Sequence, residues 1–244
     1  MPALATKNLT KHFDGVAAVK SLSVEFRAGE ITGLIGPNGS GKSTLINLLT
    51  GLIPWDAGAV CVGEGTKLFR LKPYEVTDYK ITRTFQEVRL FEQLPVIDNL
   101  LIALTERAVW PALFERHQTF HRAAAEELLR AVDLLDKRDK LANQLSYGQR
   151  KLLEIARARA MAADIYLFDE PFAGLFPKMV KLVADVLKDL RVAGKTVVLV
   201  EHNMNLIREL SDRVMVMDAG QLLAEGEPAR VLASRAVVEA YLGE

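Results

Sequence analysis

Short runs of apolar residues recur along this 244-residue chain and predict the strands of its fold. Several runs are apolar at consecutive positions, which is the pattern of strands covered on both faces. They therefore predict a sheet that is buried between helices. The runs are VEF (24–26), ITGLI (31–35), AVCV (59–62), IYLF (165–168), TVVLV (196–200) and VMVM (214–217).

An amphipathic helix is predicted between two of these runs, over KMVKLVADVLKDLR (178–191). Its apolar residues recur at the three- and four-residue spacing of one helix face, and Gly194 follows as a stop signal. A strand, a helix and a second strand in this order form a right-handed crossover between parallel strands. The predicted fold class is therefore α/β, with a mostly parallel sheet flanked by helices.

The segment from about Pro95 to Leu145 has a different character, since it has almost no β-branched runs. It contains the strongly helix-forming stretch HRAAAEELLRAVDLL (121–135), so we predict a helical insertion between the strands of the core. Further on, DAGQ (218–221) predicts a hairpin turn. The stretches EPARVLAS (227–234) and AVVEAYLGE (236–244) predict two small terminal helices.

Charge and composition exclude several classes of function. Lys plus Arg and Asp plus Glu both total 31, which argues against a mainly electrostatic nucleic-acid binder. Cys61 is the single cysteine and cannot form an internal disulfide. No apolar run approaches the ~18 residues that a membrane span needs, and MPALATKNLTKHF (1–13) lacks the apolar core of a signal peptide. We expect a soluble protein whose membrane role, if any, comes through a partner.

The stretch GPNGSGKST (36–44), called the phosphate loop below, fits the pattern G-x-x-x-x-G-K-[ST] between a strand and a helix. Its glycines let backbone N–H groups converge on a phosphate at a helix N-terminus. Lys42 would reach the β- and γ-phosphates, and the Ser43 hydroxyl would ligate Mg²⁺. The alternative is a glycine-rich turn with a surface lysine, which the complete motif disfavours.

Two further strand ends carry candidate catalytic side chains. Asp169 and Glu170 follow IYLF, and His202 follows TVVLV within EHN (201–203). Asp169 is expected on the Mg²⁺ side, and Glu170 is the natural general base for an attacking water. A lone histidine is more often structural. The position of His202 nevertheless favours a functional role, because the carboxyl ends of parallel strands meet at one edge of a sheet.

The stretch LSYGQR (145–150) opens a predicted helix and has two interpretations. Ser146 and Gln149 have the spacing of a capping box, in which the two residues satisfy backbone groups of the first turn. The same helix N-terminus also suits a phosphate, so it is a candidate second anion site. The pattern alone leaves both interpretations open.

Together with TFQ (84–86), these stretches resemble, in order, the motifs of ATP-binding-cassette (ABC) ATPases: Walker A, Q-loop, signature, Walker B with the catalytic glutamate, and switch histidine. The resemblance covers essentially the whole chain. It implies one nucleotide-binding domain over 1–244: a P-loop NTPase core with an N-terminal antiparallel β subdomain (1–94 and 151–244), and an inserted α-helical subdomain (95–150) that ends in the signature.

The resemblance also implies that two cassettes pair head to tail, each ATP lying between Walker A of one chain and the signature of the other. The second cassette would be another copy or a paralogue. The implied catalytic residues are Lys42, Gln86, Glu170 and His202, and the implied Mg²⁺ residues are Ser43, Gln86 and Asp169. The implied nucleotide-binding residues are Phe13, Gly36, Asn38, Gly39, Ser40, Gly41, Lys42, Ser43 and Thr44, with Ser146, Gly148 and Gln149 from the partner.

The stretches RTFQEVRLFEQLPVIDNLLIA (83–103), LSYGQRKLLEIARA (145–158) and VVEAYLGE (237–244) resemble ATPase subunits of branched-chain amino-acid importers. This branch implies transmembrane permease subunits and, indirectly, a periplasmic solute-binding protein as partners. It implies a peripheral location on the cytoplasmic face of the bacterial inner membrane. Lipopolysaccharide-exporting ABC ATPases share YLGE (241–244) and EPFAG (170–174) and are the alternative.

Three features within the resemblance stay open. Phe13 occupies the position of the family's aromatic adenine platform, although a core residue of an edge strand is an alternative. Leu90, Phe91 and Leu94 suit either a groove for a transmembrane helix or the core of the helical subdomain. Phe176 stands where the family's D-loop carries aspartate or asparagine. We expect it either to pack against a second copy or to mark pairing with a paralogue.

Overall fold

The computed structural model of the chain describes residues 1–85, 87–105 and 118–242. The described residues form two compact units. The first comprises residues 1–83, 163–170 and 187–244, and the second comprises 84–162 and 171–186. The second unit contains the segment 95–150, whose bounds as a helical subdomain stay a prediction.

Eleven strands are formed by the described residues, and each of the six apolar runs overlaps one of them. The strands that the apolar runs did not predict are mostly in the N-terminal third of the chain. The strands are β1 (Pro2–Phe13), β2 (Val16–Leu22), β3 (Glu25–Arg27), β4 (Ile31–Ile35), β5 (Ala57–Val62), β6 (Thr66–Leu68), β7 (Ile81–Arg83), β8 (Ile165–Asp169), β9 (Thr196–Val200), β10 (Arg213–Asp218) and β11 (Gln221–Gly226).

A six-stranded sheet with the order β11-β10-β4-β9-β8-β7 lies in the first unit. Strands β10, β4, β9, β8 and β7 run parallel, and β11 pairs antiparallel with β10 through the predicted hairpin. Every residue of β4, β8 and β9 is buried. The α/β prediction with a mostly parallel sheet is confirmed.

An antiparallel sheet is built from the N-terminal third of the chain, with the order β2-β1-β5-β6 and with β3 paired to β1. One hydrophobic cluster joins this sheet to the parallel sheet and to the helix that follows the phosphate loop. Leu9 and Val60 come from the antiparallel sheet, Leu45 from the helix, and Leu167 and Val198 from the parallel sheet. The predicted N-terminal antiparallel part of the fold is therefore present.

The described residues form eight α-helices. Within 95–145, the described residues form helices and 3₁₀ turns, as the composition predicts. None of the described helices is both long enough and apolar enough to cross a membrane. The helices are α1 (Lys42–Leu49), α2 (Val96–Leu104), α3 (Gln118–Ala131), α4 (Tyr147–Ala160), α5 (Pro177–Val192), α6 (Met204–Leu210), α7 (Pro228–Leu232) and α8 (Arg235–Leu242).

Candidate active site

Three neighbouring parallel strands bring the candidate catalytic side chains to one edge of the sheet. In the register, Val200 of β9 lies opposite Leu34 of β4 on one side and Asp169 of β8 on the other. The strands therefore end level with each other. The phosphate loop leaves β4 at this edge, Glu170 follows β8, and residues 201–203 follow β9.

The phosphate loop is held in a tight curve by its lysine and its glycines. The Lys42 ammonium group donates to the carbonyl oxygens of Gly36 (2.7 Å) and Pro37 (2.9 Å) and to the Ser40 hydroxyl (3.3 Å). Gly36 has a φ of +150°, and a Cβ atom there would lie 2.1 Å from the Met217 carbonyl oxygen. Only glycine fits at this position, because the loop backbone passes directly against the end of β10.

The N-terminus of α1 presents the rest of the loop to solvent. Asn38, Gly39 and Ser43 are exposed, whereas Thr44 is half-buried. The helix N-cap is Gly41, with a φ of 102°, and no side chain caps the first-turn N–H groups. Those N–H groups and the helix dipole form a ready site for an anion such as a phosphate.

Glu170 and His202 are paired at this edge. His202 Nε2 lies 3.0 Å from Glu170 Oε1, and the Glu170 side chain is the more buried of the two. The Glu170 backbone is left-handed, with a φ of 49°, and its N–H donates to the Val200 carbonyl at 2.9 Å. A left-handed conformation is unfavourable for a residue other than glycine, and such strain clusters at functional sites.

Glu201 supports the loop that carries His202, a role that the sequence analysis did not assign. The Glu201 side chain is buried, and its Oε1 accepts the N–H groups of His202 (3.1 Å) and Asn203 (3.3 Å). Asn203 in turn caps α6 by accepting the N–H groups of Asn205 and Leu206. Burial raises the pKa of Glu201, and the negative charge of Glu170 raises it further. The hydrogen bonds from the two backbone N–H groups lower this pKa but do not cancel the rise.

Asp169 ends β8 and is paired with an arginine that none of the motifs includes. Arg83 Nη2 lies 2.8 Å from Asp169 Oδ2, and both side chains are buried. The only signal in the sequence is the position of Arg83 directly before TFQ (84–86), which does not predict a contact with Asp169.

The capping box at the start of α4 is present in the structure. The Ser146 hydroxyl accepts the Gln149 N–H (3.4 Å), and the Gln149 side-chain oxygen accepts the Ser146 N–H (3.1 Å). Ser146 and Tyr147 are exposed, and Gly148 is half-buried against Met179. The capping interpretation is therefore confirmed. The anion-site interpretation stays a proposal, with which the exposure of Ser146 is compatible.

Phe13, the candidate adenine platform, is the last residue of β1 and is 45% exposed. The Lys11 ammonium group lies 5.4 Å from its ring centroid. This exposure disfavours the core interpretation and is compatible with stacking of an adenine on the ring. Gln86, the predicted Q-loop residue, lies outside the described residues.

Apolar side chains are also exposed in the second unit. Phe91 is 48% exposed and Phe176 is 76% exposed, while Leu90 and Leu94 are half-buried. The Phe176 carbonyl oxygen accepts the N–H groups of Met179 and Val180 at the start of α5. Backbone bonds therefore anchor this position while its aromatic ring stays on the surface.

The oxygen donors at the sheet edge fit Mg²⁺. The Ser43 hydroxyl and the Asp169 carboxylate are the hard ligands that Mg²⁺ prefers, and Mg²⁺ usually takes its remaining ligands from water and substrate phosphates. Among the described residues, no group of three or more His, Cys, Asp or Glu side chains could hold a metal ion. A metal shared with a phosphate is therefore a better fit than an all-protein cage.

The family model described as ABC transporter matches residues 19–173, which include the phosphate loop, the capping box at Ser146 and the Asp169–Glu170 pair. The chain belongs to this family. It is a cassette ATPase of the transporter type. A second model, described as branched-chain amino acid ATP-binding cassette transporter, matches residues 221–244 of the cassette.

Relatives and solved structures cover the cassette along its full length. It is 38% identical to the high-affinity branched-chain amino acid transport ATP-binding protein LivG of Salmonella typhimurium, over 100% of this chain and 98% of LivG. A crystal structure of an ABC transporter cassette in its ADP conformation superposes with a TM-score of 0.85, at 34% identity and 100% coverage of both chains. A dimeric cassette in a post-hydrolysis state with ADP and Pi gives a TM-score of 0.78, at 29% identity, and covers 92% of this chain and 98% of its own.

Proposed function

We propose that this cassette hydrolyses ATP with Mg²⁺ to power import of branched-chain or other neutral amino acids through partner permease subunits. The observation that carries the hydrolytic part is the convergence of Lys42, Asp169, Glu170 and His202 on one sheet edge. The likeness to LivG along the whole chain, and the match at 221–244, support the amino-acid substrate. Neither likeness favours the exporter alternative.

Glu170 acts as the general base in this proposal. Its carboxylate takes the proton of the water that attacks the γ-phosphate, and its left-handed backbone and its bond to Val200 hold it at the strand end. His202 Nε2, at 3.0 Å, fixes the orientation of the carboxylate. Glu201 holds the His202 backbone from below by accepting two N–H groups. The three side chains thus form one support for the attacking water.

The phosphate loop binds the leaving part of the nucleotide. Lys42 and the N–H groups at the start of α1 stabilise the negative charge that develops on the phosphates. Ser43 and Asp169 would hold Mg²⁺, with Gln86 as a third candidate, and the bound ion would neutralise charge on the β- and γ-phosphate oxygens. The loop residues Asn38, Gly39, Ser40 and Thr44 are also proposed to contact the nucleotide. The exposed ring of Phe13 would stack on the adenine.

A second cassette completes the site, as either another copy or a paralogue. Ser146, Gly148 and Gln149 would contact the ATP that is bound to the phosphate loop of the partner. The position of the exposed Ser146 hydroxyl at the N-terminus of α4 supports this role. The dimeric cassette structure with 29% identity supports pairing as the functional state.

The membrane partners are permease subunits, with a periplasmic solute-binding protein acting on them from the other side. The cassette would bind peripherally at the cytoplasmic face of the bacterial inner membrane. The apolar residues Leu90, Phe91 and Leu94 are the proposed docking region, and the 48% exposure of Phe91 supports it.

The decisive experiment isolates the tagged chain from its native membrane together with the subunits that bind it. The complex is then reconstituted in vesicles with the solute-binding protein inside, so that the protein meets its normal side of the permease. We expect leucine, isoleucine or valine to stimulate ATP hydrolysis and to be transported in an ATP-dependent manner. Copurification with a lipid exporter, or stimulation by lipid substrates alone, would overturn the import proposal.

A further inference from the structure

Arg83 links three elements of the first unit through one buried guanidinium group. It ends β7, which lies beside β8 in the parallel sheet. Its Nη2 atom lies 2.8 Å from Asp169 Oδ2, and its Nη1 atom donates to Asn47 Oδ1 (2.6 Å) and Thr50 Oγ1 (3.3 Å). The side chains of Arg83 and Asp169 are only 9% and 7% exposed.

The contacts of Arg83 fix the guanidinium plane. Asn47 lies in α1 and Thr50 caps its C-terminus, so one nitrogen is tied to the helix that follows the phosphate loop. The other nitrogen is tied to Asp169 at the end of β8. A planar guanidinium group with partners on two nitrogens cannot rotate without breaking several bonds. Through Arg83, both α1 and β7 therefore restrain the Asp169 carboxylate.

We propose that Arg83 is a positioning residue: by binding Asp169 Oδ2 it holds the carboxylate in the orientation in which it would serve the nucleotide-bound Mg²⁺. This inference rests on the Mg²⁺ site of the proposed function. Mutation of the hydrogen-bonded partners of metal ligands typically changes metal affinity 10–100-fold.

A purely structural role for Arg83 is the competing explanation. Buried ion pairs often stabilise a fold no more than apolar residues of the same volume, so burial by itself does not explain why a charge is placed here. The two explanations predict different results. A structural arginine affects unfolding alone, whereas a positioning arginine affects the dependence of nucleotide binding on Mg²⁺.

Arg213 provides a matched control in the same unit. It is also buried, it pairs with the Glu225 carboxylate at 2.5 Å, and it donates to the Glu25 carbonyl oxygen at 3.0 Å. Its partners lie on β11 and β3, not at the carboxyl edge of the sheet. Arg213→Gln therefore removes a second buried arginine, whose carboxylate partner is more exposed than Asp169, without touching Asp169.

The experiment titrates Mg²⁺ into the purified chain with a fluorescent ADP analogue and measures the affinity for the analogue at each concentration and in excess EDTA. For Arg83→Gln we expect the Mg²⁺ concentration at half-effect to rise about 10-fold or more. The affinity in EDTA should change less than about twofold, because the phosphate loop is intact. Arg213→Gln should match the wild type in both measurements.

Arg83→Lys keeps the experiment decisive if Arg83→Gln does not fold. It retains the charge but not the planar fork, so we expect an intermediate rise in the Mg²⁺ requirement with a folded chain, checked by thermal unfolding. A wild-type Mg²⁺ requirement in a folded Arg83 variant would overturn the positioning role while leaving the Mg²⁺ site intact. If the ADP affinity of the wild-type chain does not depend on Mg²⁺, both the proposed Mg²⁺ site and the positioning role of Arg83 would be overturned.

Discussion

His202 Nε2 lies 3.0 Å from Glu170 Oε1, although the two residues are 32 positions apart in the chain. The contact forms because β8 and β9 are neighbours in the parallel sheet and end level with each other. The packing of the two strands therefore pairs the Glu170 carboxylate with His202. This pair is the basis of the first two predictions.

Glu170→Gln should reduce ATP turnover about 10²- to 10⁴-fold, because the amide cannot take a proton from the attacking water. Nucleotide affinity should stay within about twofold of the wild-type value, since the phosphate loop is untouched. Phosphate release and equilibrium ATP binding measure the two effects, and gel filtration with ATP should show a trapped dimer. Glu209→Gln, at an exposed glutamate paired with Lys188, is the control. Normal hydrolysis by Glu170→Gln would remove Glu170 from the role of base.

His202→Ala should lower kcat by about 10-fold or more with little change in nucleotide affinity, because the Glu170 carboxylate loses its orienting partner. His12→Ala is a matched control, since His12 Nδ1 also contacts a carboxylate, Asp56 Oδ2 at 3.4 Å, but lies in β1. Steady-state ATPase assays on both variants decide the matter. Equal kcat values in the two variants would mean that His202 is structural.

Ser146→Arg should leave nucleotide binding by the isolated chain unchanged and block ATP hydrolysis in the assembled transporter. The reason is that Ser146 is proposed to contact the nucleotide bound to the partner's phosphate loop, and not the nucleotide bound to the phosphate loop of the same chain. Ser146→Ala separates this effect from loss of the helix cap, which costs about 1 kcal/mol. Undiminished ATPase activity of the assembled Ser146→Arg complex would refute the two-chain site.

Glu201→Gln should gain stability relative to the wild type as pH rises. Burial raises the pKa of Glu201 in the folded chain above its ordinary value of 4.5. The unfolded chain therefore releases this proton at lower pH than the folded chain, and the wild type loses stability as pH rises from about 4.5 through the folded pKa. The loss is about 1.4 kcal/mol for each pKa unit. The glutamine side chain of the variant does not titrate, so the stability of the variant lacks this dependence on pH.

Thermal unfolding of wild type and Glu201→Gln between about pH 4 and pH 8 measures this difference. The gap in free energy of unfolding should grow toward high pH in favour of the variant. Glu64→Gln, at an exposed turn residue, controls for the loss of one negative charge. A gap that is constant with pH would show that burial does not raise the pKa of Glu201.

Phe176→Asn should change the isolated chain little, because the ring is 76% exposed and surface substitutions usually shift stability by less than about 0.5 kcal/mol. In the assembled transporter we expect a changed ATPase rate if the exposed ring packs against a second copy, which is one of the two alternatives for Phe176. Unfolding of the chain and ATPase activity of the complex test the two statements. An unchanged rate in the complex would make the departure from the family's polar residue neutral.

The sequence by itself determined the parallel strands β4, β8, β9 and β10, because runs of consecutive apolar residues favour strands that are covered on both faces. It also determined the phosphate loop, since the glycine spacing and the lysine are local features. Asp169, Glu170 and His202 could be placed at one sheet edge because parallel strands end on the same side. Each of these inferences depends only on neighbouring residues and on the general geometry of a sheet.

Only the tertiary structure decided the partners of those residues. Arg83 and Asp169 are 86 positions apart, and nothing in the pattern around either one names the other. The buried Glu201 carboxyl likewise follows from packing around the strand ends, and the exposure of Phe13 and Phe176 depends on which surfaces the neighbouring elements cover. Side-chain contacts between distant segments depend on how the elements pack, and the pattern of a single sequence does not contain that information.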